Sequence, residues 1–181
     1  MPRNKRLQDR AEKSDEIVAA ARTLFLEAGY EATSMSRLAA AAGVAANTIY
    51  WYFKDKDEVL VAVLNAELSA RVAEYLLLSP RSTTERLLWI VNQLELASRL
   101  VSTVHARAAV SPVISTWHEH FHSLSETLMQ QEMLQGGVPP EHSAALVKIW
   151  VFTLEGLLAH PMSEAQKQAI CSTLSLSLPP A

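Results

Sequence analysis

"MSRLAAAAGVAANTIYWYF", residues Met35 to Phe53, decides how the rest of the chain is read. Its alanine-rich first half predicts a short helix over 35–42, capped by Thr33 or Ser34. Gly43 then supplies the left-handed backbone that ends such a helix, and a third helix follows over 45–52. Two short helices crossing tightly need a small side chain on the first and a glycine at the turn, and Ala39 and Gly43 stand at that spacing. Leu38, Ala42, Val44 and Ile49 are then the core of a helix-turn-helix spanning about 35–53.

The same stretch ends in four consecutive aromatic residues, Tyr50 to Phe53, out of twelve in the chain. One core cannot accept all four from one helix. At about 100° per residue, Phe53 shares the side of Ile49, Tyr52 lies on the boundary, and Asn47, Tyr50 and Trp51 point away. Outward aromatics beside Lys54 and Lys56 need a partner surface.

Further out, the patterning is helical throughout, with no Asn-Gly or Asp-Gly turn and no sustained strand alternation. The expected fold class is all-α. A first helix over 14–28 buries Ile17, Ala21, Leu24 and Phe25 and ends at Gly29. Asp55 with Glu58 opens a long helix to about Leu78, stopped by Ser79-Pro80. Helices follow over about 84–101, 103–110, 112–135, 140–160 and 164–178, two of them with Ser82/Glu85 and Ser163/Gln166 capping boxes. That makes about nine helices in two lobes, divided near residue 55: a helix-turn-helix domain over 1–55 and a larger helical domain over 56–181.

Composition narrows the function classes. With 181 residues, 49% apolar and 19% charged, the chain is an ordered globular protein. The longest aliphatic run, Val59 to Leu64, is far short of a bilayer span, so no membrane is expected as a partner. The basic N-terminus lacks the apolar core of a secretory signal, and the single Cys171, read as a core filler, suits a reducing compartment; a cytoplasmic location is expected. The net charge is −3, yet the first thirteen residues carry Arg3, Lys5, Arg6, Arg10 and Lys13 against Asp9 and Glu12, so positive charge gathers at the N-terminal end.

The stretch "TSMSRLAAAAGVAANTIYWYFKDKDEVL", following "SDEIVAAARTLFLEAGYEAT", resembles the DNA-binding domain of the tetracycline-repressor (TetR) family of bacterial regulators. The resemblance rests on Gly29-Tyr30, Leu38 to Ala42, Gly43-Val44, Thr48-Ile49-Tyr50, Phe53 and Lys56, and covers about residues 14–64. It implies that the helix after Gly43 enters a DNA major groove. Thr48 and Tyr50 would meet base edges or backbone, and Trp51 and Tyr52 would brace against phosphates and sugars. Ser34, Ser36, Arg37 and Lys56 would contact the backbone. Ala45 and Ala46 stand where family members often carry polar base readers. They offer only methyl contacts, so direct readout leans on Asn47, Tyr50 and DNA shape. Lys56 in a helix's first turn opposes the macrodipole, and a phosphate there would reverse that sign.

For the second lobe, the resemblance implies a small-molecule cavity, for which Trp89, His105, Arg107, Trp117, His118 and Phe121 are nominated, and a dimer-forming helix. "PEHSAALVKIWVFTLEGLLAHP" is apolar nearly all round and needs covering on two sides. Leu146, Trp150, Leu154, Leu157, Ile170 and Leu174 are the expected interface, with Leu178 beside them. All six histidines lie in this lobe, and "WHEHFH" places His118 and His122 on one face with His120 elsewhere. Without cysteine partners or a His-Glu-x-x-His spacing, no metal or cofactor is expected. The expected function is a ligand-responsive homodimeric repressor of a palindromic operator, with double-stranded operator DNA, a second copy and an unidentified small-molecule effector as partners. The alternatives are an activator of the same fold, an adaptor, or an enzyme using His118, Glu119 and His122; no catalytic fingerprint supports the last, and a non-enzyme is expected.

Overall fold

A computed structural model describes residues 2–78 and 81–176. Among these there is no strand. The chain forms α1 (Pro2–Glu27), α2 (Met35–Ala41), a single 3-10 turn (Ile49–Trp51), α3 (Lys56–Leu76), α4 (Thr83–Leu96), α5 (Ser98–Ala108), α6 (Pro112–Gln135), α7 (Pro140–Ala159) and α8 (Glu164–Ser175). The Ser79-Pro80 stop and Leu178 lie outside the described residues.

Packing divides the chain into two compact units, 1–70 with 99–117 and 71–98 with 118–181. The division near residue 55 follows the chain; the packing units follow the cores. In the first unit Ile17, Ala21 and Phe25 of α1 are buried with Leu38, Ile49, Phe53 and Val59, Leu60, Val63 and Leu64 of α3, joined by Leu100, Val104 and Ile114. In the second, Leu87 and Val91 of α4 pack with Trp150, Leu154 and Leu157 of α7 and Cys171 of α8. The break at Ala97 separates two faces of different allegiance: Leu87 and Val91 enter one core, Leu100 and Val104 the other. The periodicity placed that break some five residues later, because apolar spacing continues across it.

Local chemistry explains the ends. α1 starts twelve residues before the expected Ser14, since its polar N-terminal half leaves no apolar stripe to read. It ends at Gly29, φ +88°, and Gly43 has φ +65° at the next reversal. Ser34 caps α2 by accepting from the Arg37 N–H at 3.2 Å. Asp55 accepts from the Glu58 N–H at 3.0 Å at the start of α3. Both capping boxes, Ser82/Glu85 and Ser163/Gln166, are formed. Cys171 is fully buried, and burial pushes its thiol up. α7 is long and apolar enough to cross a membrane by length and composition alone. Its core-facing residues Val147, Trp150, Val151, Leu154 and Leu157 are buried in a core that they share with Leu87 and Val91 of α4, Met133 of α6 and Cys171 of α8.

Candidate nucleic-acid interface

The reversal after α2 is built as its residue types require. The Val44 N–H donates to the Ala39 carbonyl at 2.9 Å, so the chain turns against a residue that is itself 1% exposed and has only a methyl to spare. The segment after Gly43 is not the regular helix expected over 45–52. Its amides bond three residues back: Thr48 to Ala45, Trp51 to Thr48 and Tyr52 to Ile49, at 2.8–3.0 Å. Only the Phe53 amide reaches four back, to Ile49. Thr48, Ile49 and the aromatics are weak helix formers, and the core fixes both Ile49 and Phe53, so the segment winds tightly between them.

The facing of the aromatics survives this change of helix type. At three residues per turn, Tyr50 and Trp51 stand about 120° and 240° from Ile49, still away from the core. Ile49 is fully buried and Phe53 8% exposed, whereas Tyr50 and Trp51 are 54% and 75% exposed. Tyr52 is half-buried, as its boundary position predicts. Ala45, Ala46 and Asn47 are exposed and Thr48 is half-buried. Ser34, Ser36 and Arg37 at the start of α2 are exposed, though Arg37 also donates to the Ala32 carbonyl at 3.1 Å.

Lys56, expected at the DNA backbone, is engaged within the chain. Its ammonium donates to the Tyr30 carbonyl at 2.8 Å and lies 3.9 Å from the Tyr30 ring centroid. Burial, ahead of its charged neighbours, pulls its pKa below the usual lysine value. The macrodipole conflict is answered internally, since Asp57 and Glu58 share that first turn.

Tyr30 joins a second cluster that the sequence did not reveal. Arg107 of α5 donates to both Asp57 oxygens, at 2.6 and 2.7 Å, and its guanidinium carbon lies 4.9 Å from the Tyr30 ring. The Tyr30 hydroxyl also donates to Asp57. Burial alone would raise the Asp57 pKa, but hydrogen bonds from Arg107, Tyr30 and Ser111 outweigh it and hold the carboxyl down to about 2. Burial and the Asp57 carboxylate push the Tyr30 phenol well above its usual value.

The Arg107 fork is thus filled by a carboxylate of the chain itself. Trp117 likewise donates to the Asn65 side chain at 2.8 Å, and His105 is exposed; all three belong to the first unit. Trp89, His118 and Phe121 belong to the second, where Trp89 lies 6.0 Å from the Tyr75 ring and Phe121 5.7 Å from His122. An open groove of about 480 Å³ runs between α6 and α7 there, lined by His118, His122, Glu126 and Gln130 opposite Ala144 and Lys148. Of the six nominees only His118 lines it. The His118 and His122 Nε2 atoms are 3.0 Å apart, so one ring donates and the other accepts. Among the described residues no three His, Cys, Asp or Glu groups are arranged to hold a metal.

The nominated interface residues are also redistributed. Trp150, Leu154 and Leu157 are buried in the second unit's own core, and Leu146, Ile170 and Leu174 pack partly against it. The apolar surface that α7 presents is instead Ile149 and Phe152, 52% and 67% exposed. A helix apolar on both sides does not reveal from sequence which side its own core takes.

Residues 17–63 match the family model for bacterial regulatory proteins of the tetR family. The fatty acid metabolism regulator protein of Bacillus subtilis (strain 168) is 34% identical over 62 residues, 34% of this chain and 32% of that protein. The aligned segment therefore spans about a third of that relative. Over 90% of this chain and 95% of the other, the fold superposes on a transcriptional regulator from Saccharomonospora viridis in complex with choline, with a TM-score of 0.75 at 15% identity. A TetR-family regulator from Mesorhizobium loti superposes over 93% of this chain and 95% of the other, with a TM-score of 0.68 at 21% identity. The segment that carries the exposed aromatic turn, residues 17–63, is thus similar to the tetR family of bacterial regulatory proteins, and it sits in a fold shared with these solved structures along nearly the whole length of the chain.

Proposed function

We propose that the protein is a homodimeric transcriptional repressor that binds a palindromic duplex operator and is released by a small molecule. The observation that carries this reading is the exposed pair Tyr50 and Trp51, held out by buried Ile49 and Phe53 beside exposed Ala45, Ala46 and Asn47. That surface is a turn of aromatic and small side chains, flanked by the exposed N-terminus of α2, where Ser34, Ser36 and Arg37 offer donors to phosphate. In this reading residues 1–55 bind DNA and 56–181 bind ligand and partner. Lys56 contributes by fixing Tyr30 rather than by reaching a phosphate.

Two such surfaces about 34 Å apart would match successive major-groove turns. Ile149 and Phe152 on α7 favour pairing with a second copy, since two large apolar side chains on one helix face otherwise stay in water. The groove between α6 and α7 is the place for an effector, and the choline-bound structural relative supports a small molecule in that role. An effector acts only by preferring the released state. Converting one bound population to its reverse, from 1:99 to 99:1, takes about 5.5 kcal/mol of preference.

The test is anisotropy of duplexes selected from a randomised library by the full-length protein. Tyr50→Ala should weaken binding by tenfold or more, and wild-type affinity should fall linearly on a log–log salt plot. Selection of no duplex, or Tyr50→Ala binding like wild type, would defeat the reading.

A further inference from the structure

The described chain carries one cationic contact to the recognition turn that comes from far away in sequence. Arg10, on α1, donates from Nη2 to the Trp51 carbonyl at 3.0 Å across 41 residues, and its guanidinium carbon lies 5.8 Å from the Tyr52 ring centroid. That carbonyl closes the 3-10 turn. The last carbonyls of any helical segment lack the amides that would satisfy them from within. Here the Tyr52 and Phe53 amides both turn back to Ile49, and the Lys54 amide is taken by the Glu58 carboxylate at 2.7 Å. A side-chain cation at a helical C-terminus both fills the acceptor and complements its partial negative charge.

We propose that Arg10 is a positioning residue for DNA recognition: it clamps the end of the Ile49–Trp51 turn and so fixes the directions in which Tyr50 and Trp51 project. A three-residue turn has too few internal bonds to hold two large exposed rings at one angle. Buried Ile49 anchors its start, and Arg10 anchors its end. The rest of the turn's rigidity comes from Phe53, which lies beyond the exposed rings. Arg10 thereby links α1 to the reading surface without itself reading a base. The inference rests on the DNA-binding reading for its consequence, but not for its geometry.

The experiment compares full-length wild type, Arg10→Ala and Arg10→Lys by two readouts. The first needs no DNA: hydrogen exchange of the amides of residues 51–53. Arg10→Ala should exchange there about tenfold faster, in keeping with loss of one charge-assisted hydrogen bond, with exchange in the buried stretches of α1 and α3 unchanged. Arg10→Lys, whose ammonium can still donate to the carbonyl, should restore slow exchange. The second readout is affinity for the duplex that wild type selects. Arg10→Ala should bind about tenfold more weakly with an unaltered salt slope, and Arg10→Lys should recover. Unchanged exchange at 51–53 overturns the proposal. So does a slope lower by about one, which marks a direct phosphate contact. If wild type selects no duplex while exchange responds as expected, the DNA-binding reading has failed and the clamp stands.

Discussion

Arg107→Met should cost the protein about 1–2 kcal/mol of stability at pH 7, most of it through Asp57. In the folded chain the Asp57 carboxyl is held down to about 2 from an ordinary 3.8, chiefly against burial and by the bonds from Arg107 and Tyr30. That difference corresponds to about 2.5 kcal/mol of preference for the ionised form, trimmed to about 2 for a side chain 15% exposed, and Arg107 supplies the larger part of it beside Tyr30 and Ser111. Because the folded pKa is the lower one, the contribution is complete above the unfolded value near 4 and is lost as pH falls through the folded value near 2. Urea denaturation followed by far-ultraviolet circular dichroism, run on wild type and Arg107→Met from pH 7 to pH 2, measures it. The difference between the two should be flat from pH 7 to about 4.5 and then shrink towards zero. A cycle with Asp57→Asn should show coupling of 1 kcal/mol or more, since the pair shares two hydrogen bonds. A wild-type-minus-variant difference that does not change with pH, or a coupling under about 0.5 kcal/mol, would refute the account of this cluster.

The same substitution should act with opposite sign at two glycines. Gly43→Ala, at φ +65° with room for a methyl, should destabilise by about 1 kcal/mol of backbone strain, while Gly156→Ala, inside α7 and equally unobstructed, should stabilise by about 0.5–1 kcal/mol; thermal melts of both variants check the pair. Ile149→Glu with Phe152→Glu should leave the thermal midpoint within a few degrees of wild type and shift the sedimentation coefficient from dimer to monomer, whereas Leu154→Ala, truncating a residue buried in the chain's own core, should lower stability by about 2–5 kcal/mol.

The parts legible in the sequence were those governed by contacts close along the chain. Gly29, Gly43, Ser34 and the two capping boxes act within four residues of themselves, and each stands in the structure as its type predicts. The outward aromatics were legible for a related reason. The spacing of Ile49 and Phe53 fixes which side is core, and that side is the same whether the segment winds as an α-helix or as a 3-10 turn. What could not be read were the choices made by distant partners. Arg10 meets Trp51 across 41 residues and Arg107 meets Asp57 across 50, and no local pattern distinguishes either arginine from a solvated one.

The misplaced ligand and interface nominees follow from the same limit, and they show how it works. The family resemblance nominates Arg107 for the cavity that it implies; the structure gives it an anion from the protein itself, in Asp57. Trp150, Leu154 and Leu157 looked like an interface because α7 is apolar on every side, and periodicity carries no information about which side meets the chain's own helices. Burial breaks that symmetry. Once a core shared with α4, α6 and α8 takes one side of α7, Ile149 and Phe152 are the large apolar residues left outside. For the proposed dimer, the candidate face is therefore one that the sequence contained but could not single out. The reading turn was different, because its core pair and its exposed pair lie within five residues of each other, and two buried anchors that close leave the side chains between them only one way to face.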